Sequence, residues 1–182
     1  MIDKKTRIAC VGNMNNNMFS IMRHLRNLGY DAYLFLVNEF EHFKPESDTF
    51  DFQSVKCFIR ELNIPNEDIF KIDKRKVFTI FEEYDFIIAC GFSIAYLSYS
   101  GVKINLVIPY GSDFYEVPFF KNDPFRSDYV NLQKKLTAKY QKKGIEDSED
   151  LLLDITNETF EKIVEFFSLK AKRHKYTLPF IY

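Results

Sequence analysis

The segment Arg7-Ile8-Ala9-Cys10-Val11-Gly12-Asn13-Met14-Asn15-Asn16-Asn17-Met18 constrains the fold more than any other part of the chain. A short apolar run stops at a glycine, passes through asparagines and continues as Met18, Ile21, Met22, Leu25 and Leu28, spaced along one helix face. The run is brief, bounded and partly β-branched, which predicts a buried strand, a tight loop and a helix. Gly29 stands where a glycine closes a helix, and Asn16 or Asn17 is suited to cap the start. Free N–H groups and the positive end of the helix dipole would then face whatever occupies the loop. Gly12 permits a ligand to approach the backbone closely, and the amides of Asn13, Asn16 and Asn17 both donate and accept hydrogen bonds. Two readings follow. The loop is a site for an anion or, better matched, a polyhydroxylated ligand, or it is a well-capped βα turn with no ligand.

The same grammar recurs along the chain. Residues 32–37 predict a second strand, 85–90 a third ending at Gly91, 104–108 a fourth, 151–155 a fifth and 176–182 a sixth. Helices are expected over 52–62, around Val77, Ile80 and Phe81, over 93–100, and over 125–144, where Phe125, Tyr129, Leu132, Leu136 and Tyr140 mark one face; another opens at Asn157. Strands alternating with helices predict one three-layer α/β domain, Rossmann-like, with a mainly parallel sheet of about six strands. Ligands of such sheets bind beyond the carboxyl ends of the strands. The loops holding Gly12, Gly91 and Gly111 are therefore expected to line one crevice. Residues 38–50 are irregular and aromatic, long for a plain connection, and put His42 on that side; His24 and His174 read as surface helix residues.

Charge and cysteine usage narrow the chemistry. Lys and Arg total 25 against 26 Asp and Glu, a net charge of -1 that argues against a dedicated nucleic-acid binder. Cys10, Cys57 and Cys90 are odd in number and lie among apolar neighbours, as reduced packing residues of a cytoplasmic protein do. The first residues lead only into a strand-length apolar run, so no secretory signal is expected, and no window approaches the length of a membrane span. Neither the spaced glycines of a dinucleotide fingerprint nor a P-loop lysine follows Gly12. No two aspartates flank a single residue in the way that holds a divalent ion beside a nucleotide sugar. No metal and no cofactor are expected.

Gly111-Ser112-Asp113-Phe114-Tyr115-Glu116 places a hydroxyl and two carboxylates at the expected crevice mouth. Asp113 and Glu116 suit hydrogen bonds to sugar hydroxyls or, if one is desolvated, general-base work; the alternative for Ser112 and Asp113 is a helix N-cap. Further on, Arg126, Lys134, Lys135, Lys139, Lys142 and Lys143 face the lone acid Asp128. This basic amphipathic stretch is either a peripheral contact with anionic lipid, at about 1 kcal/mol per basic residue near the surface, or a solvated helix face.

Three stretches together, Gly12-Asn13-Met14-Asn15-Asn16-Asn17, Asn38-Glu39-Phe40-Glu41-His42-Phe43 and residues 108–119, resemble the N-terminal half of GT-B glycosyltransferases of the family 4 type, particularly bacterial enzymes of surface-polysaccharide assembly. The resemblance extends to Asp154-Ile155-Thr156-Asn157 and Leu178-Pro179-Phe180-Ile181-Tyr182. It implies the acceptor-side domain of a retaining, metal-independent enzyme that moves a sugar from a nucleotide-sugar donor to a glycan or lipid-linked acceptor at the cytoplasmic face of a membrane. It implies donor contacts for Gly12, Asn13, Asn16 and Asn17, and an acceptor or catalytic-face role for Gly111, Ser112 and Asp113, with Asp113 and Ser112 the catalytic candidates. Tyr110 stands where many members carry a histidine. Gly91, Glu116 and His42 complete the expected substrate-binding set. The family's nucleotide-holding C-terminal domain, with its spaced pair of glutamates, has no counterpart here. The expectation is thus a single domain over residues 1–182, inactive alone and completed by a second domain or partner chain; the alternative is a non-catalytic glycan- or protein-binding module derived from such a domain.

Overall fold

A computed structural model describes residues 3–37, 44–47, 49–62, 64, 68–154 and 158–176. Its strands are β1 (Arg7–Val11), β2 (Asp31–Val37), β3 (Ile59–Leu62), β4 (Phe86–Ala89), β5 (Leu106–Val107), β6 (Asp150–Asp154) and β7 (Lys172–Tyr176). They form one seven-stranded sheet in the order β3-β2-β1-β4-β5-β6-β7, parallel at every pairing. The helices are α1 (Asn17–Asn27), α2 (Phe52–Val55), α3 (Lys74–Phe81), α4 (Ser93–Tyr99), α5 (Ser112–Tyr115), α6 (Asp128–Asp147) and α7 (Glu158–Ile163).

Side chains alternate across each strand, so one sheet feeds two cores. Ile8 and Cys10 of β1 and Leu34 of β2 pack with Met18, Phe19 and Met22 of α1. Ala9 and Val11 point the other way, into a larger core with Val77 and Phe81 of α3, Ile94 of α4, Ile145 of α6 and Phe160 of α7. At about 1.5–3 kcal/mol for each fully buried large side chain, these two layers hold the sheet between them. The expected three-layer α/β architecture is therefore the observed one, with seven strands rather than about six.

Both edge strands differ from expectation for one reason. Residues 59–62 read as the end of a helix but form β3, and the last described strand is the basic Lys172-Arg173-His174-Lys175-Tyr176 rather than the later apolar run, whose residues 177–182 lie outside the described ones. Edge strands are solvated and carry charge, which also discourages pairing with other chains, so a search for apolar runs passes over them. His174 accordingly sits in β7, 2.6 Å from Asp150 Oδ1 of the neighbouring strand, and not on a helix.

Helix α6 departs in part from its expected face: Leu136 and Tyr140 pack against the larger core, but the rest of that face does not. Its buried residues are Thr137, Ala138, Gln141, Gly144 and Ile145, while Phe125, Tyr129 and Leu132 are 97%, 54% and 56% exposed. Gly144 lies within the helix instead of ending it, because α4 passes so close that a Cβ there would come within 2.7 Å of Ile94 Cγ2 and 3.0 Å of the Ile94 carbonyl oxygen. A tight helix pair selects small residues, and the inward face then loses its apolar signature.

The chain turns from one side of β1 to the other: β2 and β3 follow on one flank, β4 to β7 on the opposite flank. The crevice of such a sheet opens beyond the carboxyl ends of β1 and β4, at that switch of direction.

Candidate functional site

The loop after β1 is closed on itself. Gly12 has φ +83°, and a Cβ there would lie 2.8 Å from the Cys90 carbonyl oxygen, so contact with the end of β4 already requires glycine. Asn15 and Asn16 take left-handed backbone angles, φ 51° and 55°, a region asparagine tolerates better than most residues. Asn13 and Asn16 are buried. Asn13 Nδ2 donates to Asn16 Oδ1 (2.6 Å), Asn13 Oδ1 accepts the Phe19 N–H (2.9 Å), and Asn16 Nδ2 donates to the Lys44 carbonyl (3.4 Å). The cap on α1 thus comes from Asn13, not from Asn16, which makes no side-chain cap bond, nor from Asn17, the first residue of the helix. One of the amides that a ligand would have used is already satisfied.

The loops after β4 and β5 meet at a buried polar seam. Both oxygens of Asp113 are engaged: Oδ2 accepts the Gly91 N–H (3.0 Å), and Oδ1 accepts those of Tyr110 (3.0 Å) and Gly111 (2.7 Å). Burial pushes the Asp113 carboxyl above the ordinary aspartate value, and these three amides pull in the opposite direction. Gln141 of α6, with no exposed surface, closes the seam. Its Nε2 donates to the carbonyls of Gly91 (3.1 Å) and Asp113 (2.9 Å), and its Oε1 accepts the Ala95 N–H (3.1 Å). Ser93 Oγ, donating towards Val11 O (3.0 Å) and Cys90 O (2.6 Å), joins the loop after β1. The three glycine loops therefore do come together, as their sequence positions imply. Their polar groups hold the loops to one another, and Asp113, expected to act on a substrate, faces protein instead. Nor is Cys10 a reactive group: burial pushes its thiol up to about 12.

Next to this seam lies an open groove of about 640 Å³, within the range of small-molecule sites. One wall is α5 and its end, where the i, i+4 spacing puts Ser112 and Glu116 on the same side. The opposite wall is α6, which presents Val130, Gln133, Lys134 and Thr137, a set spaced i, i+3, i+4, i+7. Phe92, the residue before α4, Tyr96 of α4, and Phe119 and Phe120 of the connection supply aromatic surface. Phe119 is held edge-on against Phe166 and Phe167, with centroids 6.2 and 5.2 Å away, and Phe114 stacks on Phe167 at 4.8 Å. At the rim Arg126 Nε donates to Asp123 Oδ2 (2.8 Å) and the Phe125 N–H to Asp123 Oδ1 (3.0 Å); these two bonds hold the Asp123 carboxyl below the usual range.

Of the residues singled out from sequence, Ser112 and Glu116 line this groove. Gly12, Asn13 and Asn16 belong to the closed loop, Asn17 opens α1, and Gly91, Tyr110, Gly111 and Asp113 form the seam. His42 lies outside the described residues. The sequence singles out none of Phe92, Phe119, Phe120, Gln133 and Gln141; the aromatic stretch 114–124 is the available signal for Phe119 and Phe120, and a buried glutamine has none. The basic stretch is divided: Arg126 pairs with Asp123 (2.8 Å), Lys142 with Glu146 (3.8 Å) and Lys143 with Asp147 (2.5 Å), while Lys134 lines the groove. Among the described residues no cluster of three or more His, Cys, Asp or Glu is placed to hold a metal, and no helix is long and apolar enough to cross a membrane.

No family model and no curated protein matches the chain. A solved structure from work on pinoresinol-lariciresinol and phenylcoumaran benzylic ether reductases is similar, with 17% identity and a TM-score of 0.42 over 84% of this chain and 50% of that one. The chain spans about half the length of that protein. The glycosyltransferase resemblance is corrected on these findings. No family model and no curated protein supports glycosyl transfer, and the acceptor-half role, the nucleotide-sugar donor and the place in polysaccharide assembly are withdrawn. The physical reason is plain in the first stretch, where Gly12 and its asparagines are accounted for by packing and capping inside the chain.

Proposed function

We propose that this chain is a small-molecule-binding domain whose ligand lies in the groove between α5 and α6. The observation that carries the reading is a contrast in hydrogen bonding at the same end of the sheet. In the loop after β1 and in the seam, polar groups are bonded to one another. In the groove, Ser112, Glu116, Gln133 and Lys134 surround about 640 Å³ of open, aromatic-lined space, and no side-chain hydrogen bond or ion pair of theirs occurs among the described residues. Polar side chains converging on apolar surface without partners are how binding sites fix a ligand's orientation. A dinucleotide in the main crevice fits less well. Met14 and Asn17 stand where the second and third glycines of that fingerprint belong, and Asn13 occupies the Phe19 amide.

The test uses the neutral ring probe N-phenyl-1-naphthylamine, whose fluorescence rises in apolar surroundings. Titration should give saturable binding to the parent protein and none to Gln133→Trp, in which an indole fills the groove from the α6 wall. Equal binding to both proteins, or none to the parent, would refute the reading.

A further inference from the structure

The charges around the groove specify the kind of molecule it accepts; this inference rests on the reading of the groove as a ligand site. Five charged side chains line it: Glu116, Lys121, Asp123, Arg126 and Lys134. Asp123 and Arg126 satisfy one another at 2.8 Å, with the Phe125 N–H as an additional donor to the carboxylate. Lys121, Lys134 and Glu116 remain, and none of them is in an ion pair within 4.0 Å among the described residues. Two ammonium groups against one carboxylate leave the groove one positive charge in excess. Lys134 is half-buried, and its ammonium lies 5.9 Å from the centroid of the Phe120 ring. The ring face fixes the cation beside apolar surface, where desolvation raises the value of a counter-ion.

We infer that the ligand is an anion built on an aromatic or comparably flat apolar body. Its acidic group sits between Lys121 and Lys134, its body lies against Phe92, Phe119 and Phe120, and a hydroxyl or amine at the far end donates to Glu116. The end-to-end polarity follows from the two walls: the carboxylate belongs to the α5 side and Lys134 to the α6 side. A cationic ligand would meet two like charges, and a neutral one would leave the excess charge unanswered. Carboxylates, sulfonates and phosphate monoesters share the anionic chemistry that this arrangement recognises.

The experiment compares two probes with the same rings, 8-anilinonaphthalene-1-sulfonate and its uncharged analogue N-phenyl-1-naphthylamine, on the intact chain. The sulfonate should bind about tenfold more tightly, the scale of a charge-assisted contact in a partly buried site. Lys134→Gln should remove most of that advantage without changing the affinity for the neutral probe. Lys135→Gln, on the exposed side of the same helix, should leave both affinities within about twofold of the parent. If the neutral probe binds in the groove and the sulfonate binds no better, the anionic class is wrong although the groove stands. The anionic class is equally wrong if Lys134→Gln weakens both probes to the same extent, since the lysine would then act by packing. If neither probe binds, the groove reading fails and the ligand class fails with it.

Discussion

The loop after β1 and the connection after β5 carry similar sequence signals, a glycine followed by polar residues at the carboxyl end of a parallel strand, yet they do opposite things. In the first, Asn13 and Asn16 turn inwards, bond to each other and cap α1. In the second, Asp113 alone is drawn into the protein, while Ser112 and Glu116 on either side of it face an open groove. Residue types at a strand end therefore say little about ligand binding until their partners are counted. A polar group satisfied within the chain stabilises the fold, and one left facing a cavity is available to a ligand.

That contrast divides the expected effects of substitution. Asp113→Ala should be the most damaging change, because it leaves the buried amide of Gly91 and the half-buried amides of Tyr110 and Gly111 without their acceptor. At roughly 1–3 kcal/mol per unsatisfied buried donor the loss should be about 4 kcal/mol in urea unfolding; a loss below about 1 kcal/mol would mean that the seam is not structural. Gly12→Ala comes next. The positive φ and the 2.8 Å approach to Cys90 O should together cost about 2–3 kcal/mol. Asn13→Ala removes the bond to the Phe19 amide and the bond to Asn16 and should cost about 1–2 kcal/mol. At the other extreme, Ser112→Ala and Glu116→Gln should alter stability by no more than about 0.5 kcal/mol while changing probe affinity. A large stability loss from either would erase the distinction between seam and groove.

A pH series sharpens the same contrast. Burial raises the folded-state value of the Asp113 carboxyl, so between its unfolded and folded values the native protein keeps a proton that the unfolded chain has released. The stabilisation from that proton is complete below the unfolded value and is lost as pH rises through the raised one. Urea midpoints followed upwards from about pH 4 should therefore fall with pH more in the parent than in Asp113→Asn. Parallel curves would show that the three amides fully offset the burial.

Much of the fold was legible because its central strands are buried on both faces. The run Ile8 to Val11, the period of α1 as far as Leu25 and Gly29 beyond its end match the structure, whereas Leu28 is exposed. What escaped was carried by residues whose role depends on neighbours far away in sequence. β3 and β7 are charged because they are edges, and the inner face of α6 is Thr137, Ala138, Gln141 and Gly144 because α4 lies against it. The same limit applied to the site. Ser112 and Glu116 were visible as polar residues after β5, whereas Phe92 comes from the loop between β4 and α4 and Gln133 from α6, and only folding brings them to one cavity. In sequence Lys134 belongs to a uniform basic face; its distinction from Lys142 and Lys143 lies in their partners, Glu146 and Asp147.

The most direct measurement is a backbone amide chemical-shift map of the ¹⁵N-labelled protein titrated with 8-anilinonaphthalene-1-sulfonate. A ligand in the groove should give saturable shifts at Phe92, Ser112, Phe120, Gln133 and Lys134, with Gly12, Asn13 and Asn16 unmoved. Shifts centred on residues 12–17, with the groove silent, would contradict it.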